Sequence, residues 1–254
     1  MENWALITGA SAGIGYELAR LFAADHFNLA LVARDEGRLK ALAARLEKEQ
    51  GIATKVMASD LSKRGAGAEL FESLRDTPIA ALVNNAGFGW QGAFLETELS
   101  RSLDMLEVNV EALVELTHLF TRPMVARGHG CVLNVASTAA FQPGPYTAMY
   151  YASKAFVFSF SVALKEELRG TGVTVTTLCP GFTRTEFHER ARMVRASKFF
   201  SMMPADTVAR IGYEGMKRGE GIVVAGMMNR LTSFIARRLP AGFTARIVRR
   251  INGH

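Results

Sequence analysis

Apolar, β-favouring runs recur along the chain at Trp4–Thr8, Leu29–Ala33, Lys55–Ala58, Ala81–Asn84, Cys131–Ala136, Val173–Cys179 and Ile222–Ala225. Between them lie segments of helical periodicity or loop. The strand runs are continuously apolar rather than alternating, which implies burial on both faces and a parallel sheet covered by helices. Right-handed crossovers then give a doubly wound α/β domain of about seven parallel strands. No linker, composition shift or internal repeat divides the chain, so residues 1–254 are expected to form one domain. One stretch departs from the rhythm. Between Thr185 and Pro204 the residues are mixed basic and apolar (Phe187, Met193, Val194, Phe199, Phe200, Met202, Met203), and residues 186–203 are read as a substrate-covering lid.

Composition narrows the picture modestly. With 254 residues, 49% of them apolar, the chain can bury a large core. The N-terminus shows no basic region or cleavage site, and no apolar run approaches the ~20 residues of a membrane helix, which predicts a cytoplasmic, non-spanning protein. Cys131 and Cys179 fall in apolar segments outside any ligand-spaced cluster, so neither metal nor disulfide chemistry is expected. The formal charge of +6 is concentrated at one end: residues 221–254 hold six arginines and no Asp or Glu. The body is neutral without them, and no nucleic-acid module accompanies the basic segment, so no nucleic-acid partner is expected.

The first strand runs into TGASAGIG, Thr8 to Gly15, and then into the helical run Tyr16–Ala24. Glycines 9, 13 and 15 permit a tight turn in which backbone N–H groups and a helix N-terminus can meet an anionic pyrophosphate. This segment resembles the TGxxxGxG signature of the short-chain dehydrogenases/reductases, which have a Rossmann-type fold. The resemblance implies cofactor contacts from Gly9, Ser11, Gly13, Ile14 and Gly15. Asn84-Asn85-Ala86-Gly87, closing the fourth strand, is similar to the family's NNAG, which places Asn85, Ala86 and Gly87 beside the adenosine half of the cofactor. Asp60 and Leu61 resemble its adenine-contacting pair, although Asp60 could equally cap the following helix.

The second strand ends in Ala33-Arg34-Asp35, where a 2′-phosphate or a ribose hydroxyl would be read. Arg34 offers a planar, permanently charged fork suited to phosphate. Asp35 lies about 20 residues beyond the glycine turn, where a ribose-binding acid is often found, yet it also opens the helical segment Glu36–Lys48 as an N-cap would. By resemblance, members preferring NAD carry the acid at the strand's last residue, here Ala33, and members preferring NADP carry Arg next. NADP is therefore the expected cofactor.

Tyr150 and Lys154 stand i, i+4 at the start of a long helical segment, so both can serve one site. A cation near a phenol favours the phenolate and lowers its pKa. Ser137 ends the fifth strand, and Asn109 lies in a long helical pattern before it. Asn109, Ser137, Tyr150 and Lys154 match the family's catalytic tetrad in order and spacing. The resemblance implies hydride transfer between nicotinamide and a carbonyl carbon. Tyr150 would be the acid/base, Ser137 would orient the oxygen, and Lys154 would bind the nicotinamide ribose and depress the Tyr150 pKa. Asn109 would help hold a relay water. Tyr151, at i, i+3 from Lys154, is expected to pack.

Pro180, Gly181, Thr183 and Thr185 resemble the family's PGxxxT, which holds the nicotinamide carboxamide. His188, a single histidine in a polar stretch, is expected to be solvated. The apolar lid and general similarity favour a sizeable apolar carbonyl or alcohol substrate, in the branch of hydroxysteroid dehydrogenases and long-chain 3-oxoacyl reductases. By resemblance the protein is expected to be a homodimer or homotetramer, joined through the long helices flanking the fifth strand. Residues 227–254 are read as basic amphipathic C-terminal helices, with Phe243, Ile247, Val248 and Ile251 at helical spacing beside Arg246, Arg249 and Arg250. They could pack on the domain or a neighbour, or touch an anionic membrane weakly. Two rival functions remain: a non-catalytic NADP-binding regulator on the same fold, and a peripheral membrane adaptor that uses the basic tail.

Overall fold

The computed structural model describes residues 3–193 and 202–253. Seven strands form one parallel sheet: β1 (Trp4–Thr8), β2 (Asn28–Ala33), β3 (Thr54–Ala58), β4 (Ile79–Asn84), β5 (Gly130–Val135), β6 (Val173–Cys179) and β9 (Ile222–Val224). Their order is β3-β2-β1-β4-β5-β6-β9, and the two-residue strands β7 (Thr183–Arg184) and β8 (Met203–Pro204) pair separately. The expected strands are all present, displaced by at most two residues at their ends. β1 illustrates why their runs are continuously apolar: Ala5 and Ile7 enter one core, Trp4 and Leu6 the other.

Against the first face pack α1 (Gly13–Ala24), α2 (Glu36–Gln50) and α8 (Ala205–Lys217). Phe22 on α1 meets Phe27 and the α8 residue Tyr213 edge-on at 5.2 and 4.8 Å. Each such fully buried aromatic or aliphatic side chain contributes about 1.5–3 kcal/mol through lost contact with water. The second face is covered by α3 (Ala66–Ser73), α5 (Ala112–Arg127) and α6 (Ala148–Glu167). α4 (Leu99–Leu106) joins α5 through a π-helical turn, Glu107–Glu111, so the predicted long helix carries one wide turn at Asn109. The sheet reverses its winding between β1 and β4, which opens a crevice at their carboxyl ends.

The chain closes with α7 (Phe187–Arg190) in the lid, α9 (Met227–Ala236) and α10 (Ala241–Asn252). Of the expected lid residues, Val194, Phe199 and Phe200 lie outside the described residues. The apolar spacing expected for the tail splits in the structure: Val248 is buried against the domain, whereas Phe243 and Ile247 face outward. Among the described residues no helix is long and apolar enough to cross a membrane.

Candidate active site

The crevice begins at Thr8. Its hydroxyl donates to the Val83 carbonyl at 3.1 Å and accepts the N–H groups of Asn85 and Ala86, each at 3.0 Å. Asn85 Nδ2 donates to the carbonyls of Thr8 and Gly9, so the NNAG turn is tied to the glycine turn. These approaches explain the glycines. A Cβ at Gly9 would lie 2.6 Å from Asn85 Nδ2, one at Gly15 would lie 2.4 Å from the Gly9 carbonyl oxygen, and Gly9 and Gly13 have φ of +67° and +60°. No side chain caps the N-terminus of α1, and its first turn carries no acid. Uncapped amides beside a bare turn fit an anionic pyrophosphate. Thr8 opens the glycine signature, but its stapling role depends on β4 and cannot be read from spacing.

Asp35 caps α2. Its carboxylate accepts the Arg38 N–H at 3.0 Å and lies 3.4 Å from Arg38 Nε, while Arg34 is exposed beside it. Asp60 closes a turn on the N–H and hydroxyl of Ser62, rather than capping α3, whose N-cap is Gly65. Burial acts to raise the Asp60 pKa, but those bonds and the Arg34 charge hold it below the usual carboxylate value. Leu61 is buried in the second core.

Ser137, two residues beyond β5, accepts the Ala139 N–H at 3.1 Å, and its side chain hydrogen-bonds the Tyr150 phenol. Tyr150 sits in the first turn of α6. Burial pushes its pKa up to about 12, against the pull of Ser137. Lys154 is buried one turn on, donates to the Val135 carbonyl at 2.8 Å, and is brought down to about 8 by burial. The depression of Tyr150 expected from the neighbouring lysine does not appear: Ser137 is the group that lowers its pKa, and burial outweighs that pull. Asn109 Oδ1 accepts the Phe88 N–H, and its Nδ2 donates to the Phe88 carbonyl and Ser153 Oγ, all at 3.0 Å. The side chain therefore clamps the loop after Gly87 to α6. A Cβ at Gly87 would lie 2.9 Å from Asn109 Oδ1 and 3.4 Å from Lys154 Nζ.

The PGxxxT segment closes the other side. The Pro180 carbonyl accepts from Thr138 N and Ser137 Oγ, a Cβ at Gly181 would strike Asn229, and Thr183 is buried with its hydroxyl on the Gly181 carbonyl. Thr185 reaches over the glycine turn, its Cγ2 lying 3.0 Å from where a Cβ of Gly13 would stand. The next residue, Glu186, pairs with Arg38 at 3.0 Å and with Arg190, bridging the lid to α2. His188 differs from expectation: it is half-buried, stacked on Phe182, and accepts the Thr183 N–H at 3.4 Å. Burial keeps its pKa below the usual histidine value.

Around Tyr150 the wall is apolar: Met105, Ala139, Ala191 and Met193 are buried with it, and Phe88, Trp90, Met149, Tyr151 and Phe187 pack against them. Phe187 lies 5.5 Å from the Tyr150 ring, and Gly89 leaves room for both. Phe187 and Met193 were legible only as lid residues, and their contact with Tyr150 was not. The Tyr151 ring lies over Gly144, which bears out its packing role.

A family model described as short chain dehydrogenase matches residues 3–195. The chain belongs to this family. Among curated proteins it is 38% identical over 179 residues to a very-long-chain 3-oxoacyl-CoA reductase of Laccaria bicolor, covering 69% of this chain and 53% of that protein. It is 34% identical over 183 residues to a mouse 17-beta-hydroxysteroid dehydrogenase type 3, covering 71% and 60%. The chain thus spans a little over half the length of these relatives. A solved short-chain dehydrogenase from Sphingobium yanoikuyae, in complex with NADPH, superposes with a TM-score of 0.84 at 33% identity over 94% of each chain. A bulky-bulky ketone specific alcohol dehydrogenase from Comamonas testosteroni gives 0.79 at 29% identity, covering 93% and 94%.

Proposed function

We propose that the chain is an NADP(H)-dependent oxidoreductase that interconverts an apolar ketone and its secondary alcohol. The observation that carries this reading is the convergence of Ser137, Tyr150 and Lys154 inside an apolar wall at the carboxyl ends of β5 and β6. When bound, the nicotinamide supplies or accepts a hydride. Gly9, Ser11, Gly13, Ile14 and Gly15 would hold the pyrophosphate, Arg34 the 2′-phosphate, and Asp60 and Leu61 the adenine. Asn85, Ala86 and Gly87 would border the adenosine, and Pro180, Gly181, Thr183 and Thr185 the carboxamide.

Ser137 orients the carbonyl oxygen, and Tyr150 donates its phenolic proton to that oxygen as the carbon is reduced. A phenol held near 12 keeps its proton at neutral pH, which suits the acid step of reduction. Lys154 would hold the nicotinamide ribose and supplies positive charge behind Tyr150, while Asn109 keeps the Phe88 loop against α6. The relatives named for 3-oxoacyl and hydroxysteroid substrates support an apolar substrate of that kind. Exposed Leu99 and Leu103 on α4 and Phe156 on α6 support association of copies through these helices. The free thiols Cys131 and Cys179 suit a cytoplasmic location.

Quenching of protein fluorescence by NADPH and by NADH, followed by NADPH consumption with steroid and long-chain 3-oxo substrates, tests the reading. Tight NADPH and turnover of apolar ketones support it. NADPH binding without turnover of any ketone leaves the regulator in its place, and binding of neither nucleotide removes both.

A further inference from the structure

The C-terminal end of α10 is built into the segment that carries the catalytic tyrosine. Asn252 is buried 107 residues in sequence from Pro145, yet its Nδ2 donates to the Pro145 carbonyl and to Thr147 Oγ1, both at 3.2 Å. Its own carbonyl accepts Gln91 Nε2 at 2.8 Å, and its side chain shares a hydrogen bond with the Tyr151 hydroxyl. One residue thus grips both sides of the substrate approach: the loop after Gly89 and the residues leading into α6.

The gripped segment needs such support. Tyr146 holds φ +64°, a left-handed conformation that a tyrosine keeps only when its surroundings impose it. Its carbonyl accepts Gly92 N at 2.8 Å, and its ring packs on Gly253, where a Cβ would be 2.5 Å from the Arg249 carbonyl oxygen and 3.1 Å from Tyr146 Cε2. Thr147, the N-cap residue of α6, offers no side-chain bond to the helix; its hydroxyl donates to the Gly144 carbonyl at 3.2 Å and accepts from Asn252. Tyr150 follows three residues later. Tyr146, Thr147 and Met149 also line a cavity with Trp90, Gly92 and Met105, beside the apolar wall around Tyr150.

We propose that Asn252 is a positioning residue: through Pro145, Thr147 and Tyr151 it fixes the first turn of α6, and with it the Tyr150 hydroxyl and one wall of the substrate site. The proposal rests on the reductase reading for its kinetic consequence and on geometry alone for its structural one. A small displacement of an acid from its acceptor costs rate far more than it costs stability.

The test compares Asn252→Asp, which keeps the shape and removes both donated bonds, and Asn252→Ala with Arg246→Ala, on the exposed face of the same helix. Hydrogen exchange of the peptide spanning residues 145–152 reads the positioning without turnover. NADPH affinity and the urea midpoint read cofactor binding and global stability. Faster exchange in 145–152, with kcat lowered about tenfold or more, unchanged NADPH affinity and a parental Arg246 variant, is the expected result. Parental exchange in both Asn252 variants overturns the proposal, whether or not the parent reduces a ketone. Faster exchange with parental kcat, or loss of kcat only in proportion to lost folded protein, overturns it equally. Absence of turnover in the parent, with exchange still raised, condemns the reductase reading and leaves the anchoring of α6 established.

Discussion

Lys154 Nζ gives its hydrogen bond to the Val135 carbonyl at 2.8 Å and stands 6.0 Å from the centroid of the Tyr150 ring. The pair is adjacent without a direct bond, and burial sets both protonation states: Tyr150 rises to about 12 and Lys154 falls to about 8. Of the two, the lysine is therefore the group that titrates closer to neutrality. Its ammonium is present below pH 8 and lost above it. Since kcat/KM for NADPH reports groups of the free enzyme, its profile should be level on the acid side and fall through about pH 8. Lys154→Arg, which cannot lose its charge, should move that limb upward even where it lowers the rate. A profile level to pH 10 in the parent would sink this assignment.

Stability carries the same signature with a worked sign. The Lys154 pKa is lowered from 10.5 to about 8, so between these values the unfolded chain binds more protons than the folded one. Stability from this group accordingly rises with pH across that window, and the charged lysine costs the fold up to about 3 kcal/mol at pH 7. Against this stands one hydrogen bond to Val135, worth about 1 kcal/mol. Lys154→Met should be inactive yet at least as stable as the parent at pH 7 by urea midpoint. A large drop in the midpoint would show that the bond, not desolvation, dominates.

Tyr150 and Tyr151 are separated by their partners rather than by burial. Tyr150 bonds Ser137, whereas Tyr151 lies over Gly144 and bonds Asn252. Tyr150→Phe should lower kcat at least about a hundredfold with NADPH affinity unchanged, as expected for loss of a general acid. Tyr151→Phe should retain NADPH affinity and most of the rate. Steady-state turnover with an apolar ketone, beside fluorescence titration, checks both; a dead Tyr151 variant with a living Tyr150 variant reverses the roles.

What was legible in the sequence was local. Strand runs, the glycine turn and the i, i+4 pair of Tyr150 and Lys154 each fit within one element and its neighbour, so period and spacing sufficed. Asp35 shows where that stops: cap and ribose ligand share one sequence position, and the bond to Arg38 N that makes it a cap is visible only in the fold. Phe187, Met193 and Asn252 were out of reach because loop docking across the fold sets their contacts with the α6 region. His188 is misread from sequence because most residues around it there are polar, whereas the fold stacks its ring on Phe182 and half-buries it.

The two residues after Ala33 should divide cleanly on substitution. Arg34→Ala removes an exposed charge and should weaken NADPH binding about tenfold or more while leaving NADH almost unchanged. Asp35→Ala removes the cap of α2 and should cost about 1 kcal/mol of stability with no change in the ratio of the two affinities. A fall in NADH affinity for the Asp35 variant alone would return the ribose role to that carboxylate.

The C-terminal helices supply the last prediction. Met227, Met228, Leu231, Phe234, Phe243 and Ile247 are exposed on α9 and α10, interleaved with exposed arginines 230, 237, 238, 246, 249 and 250, and residues 221–254 contain no acid. A two-fold contact between copies through this face would set arginine against arginine. An anionic lipid surface instead takes up both the apolar side chains and the charge, at about 1 kcal/mol per basic residue. The full chain should therefore co-sediment with phosphatidylglycerol vesicles, weakly with phosphatidylcholine, and less as salt is raised. Arg246→Gln with Arg249→Gln and Arg250→Gln should remove most of the lipid preference without changing NADPH affinity. Sedimentation with neither vesicle, together with a doubled mass that Phe234→Ser returns to the monomer, would assign the face to a second copy.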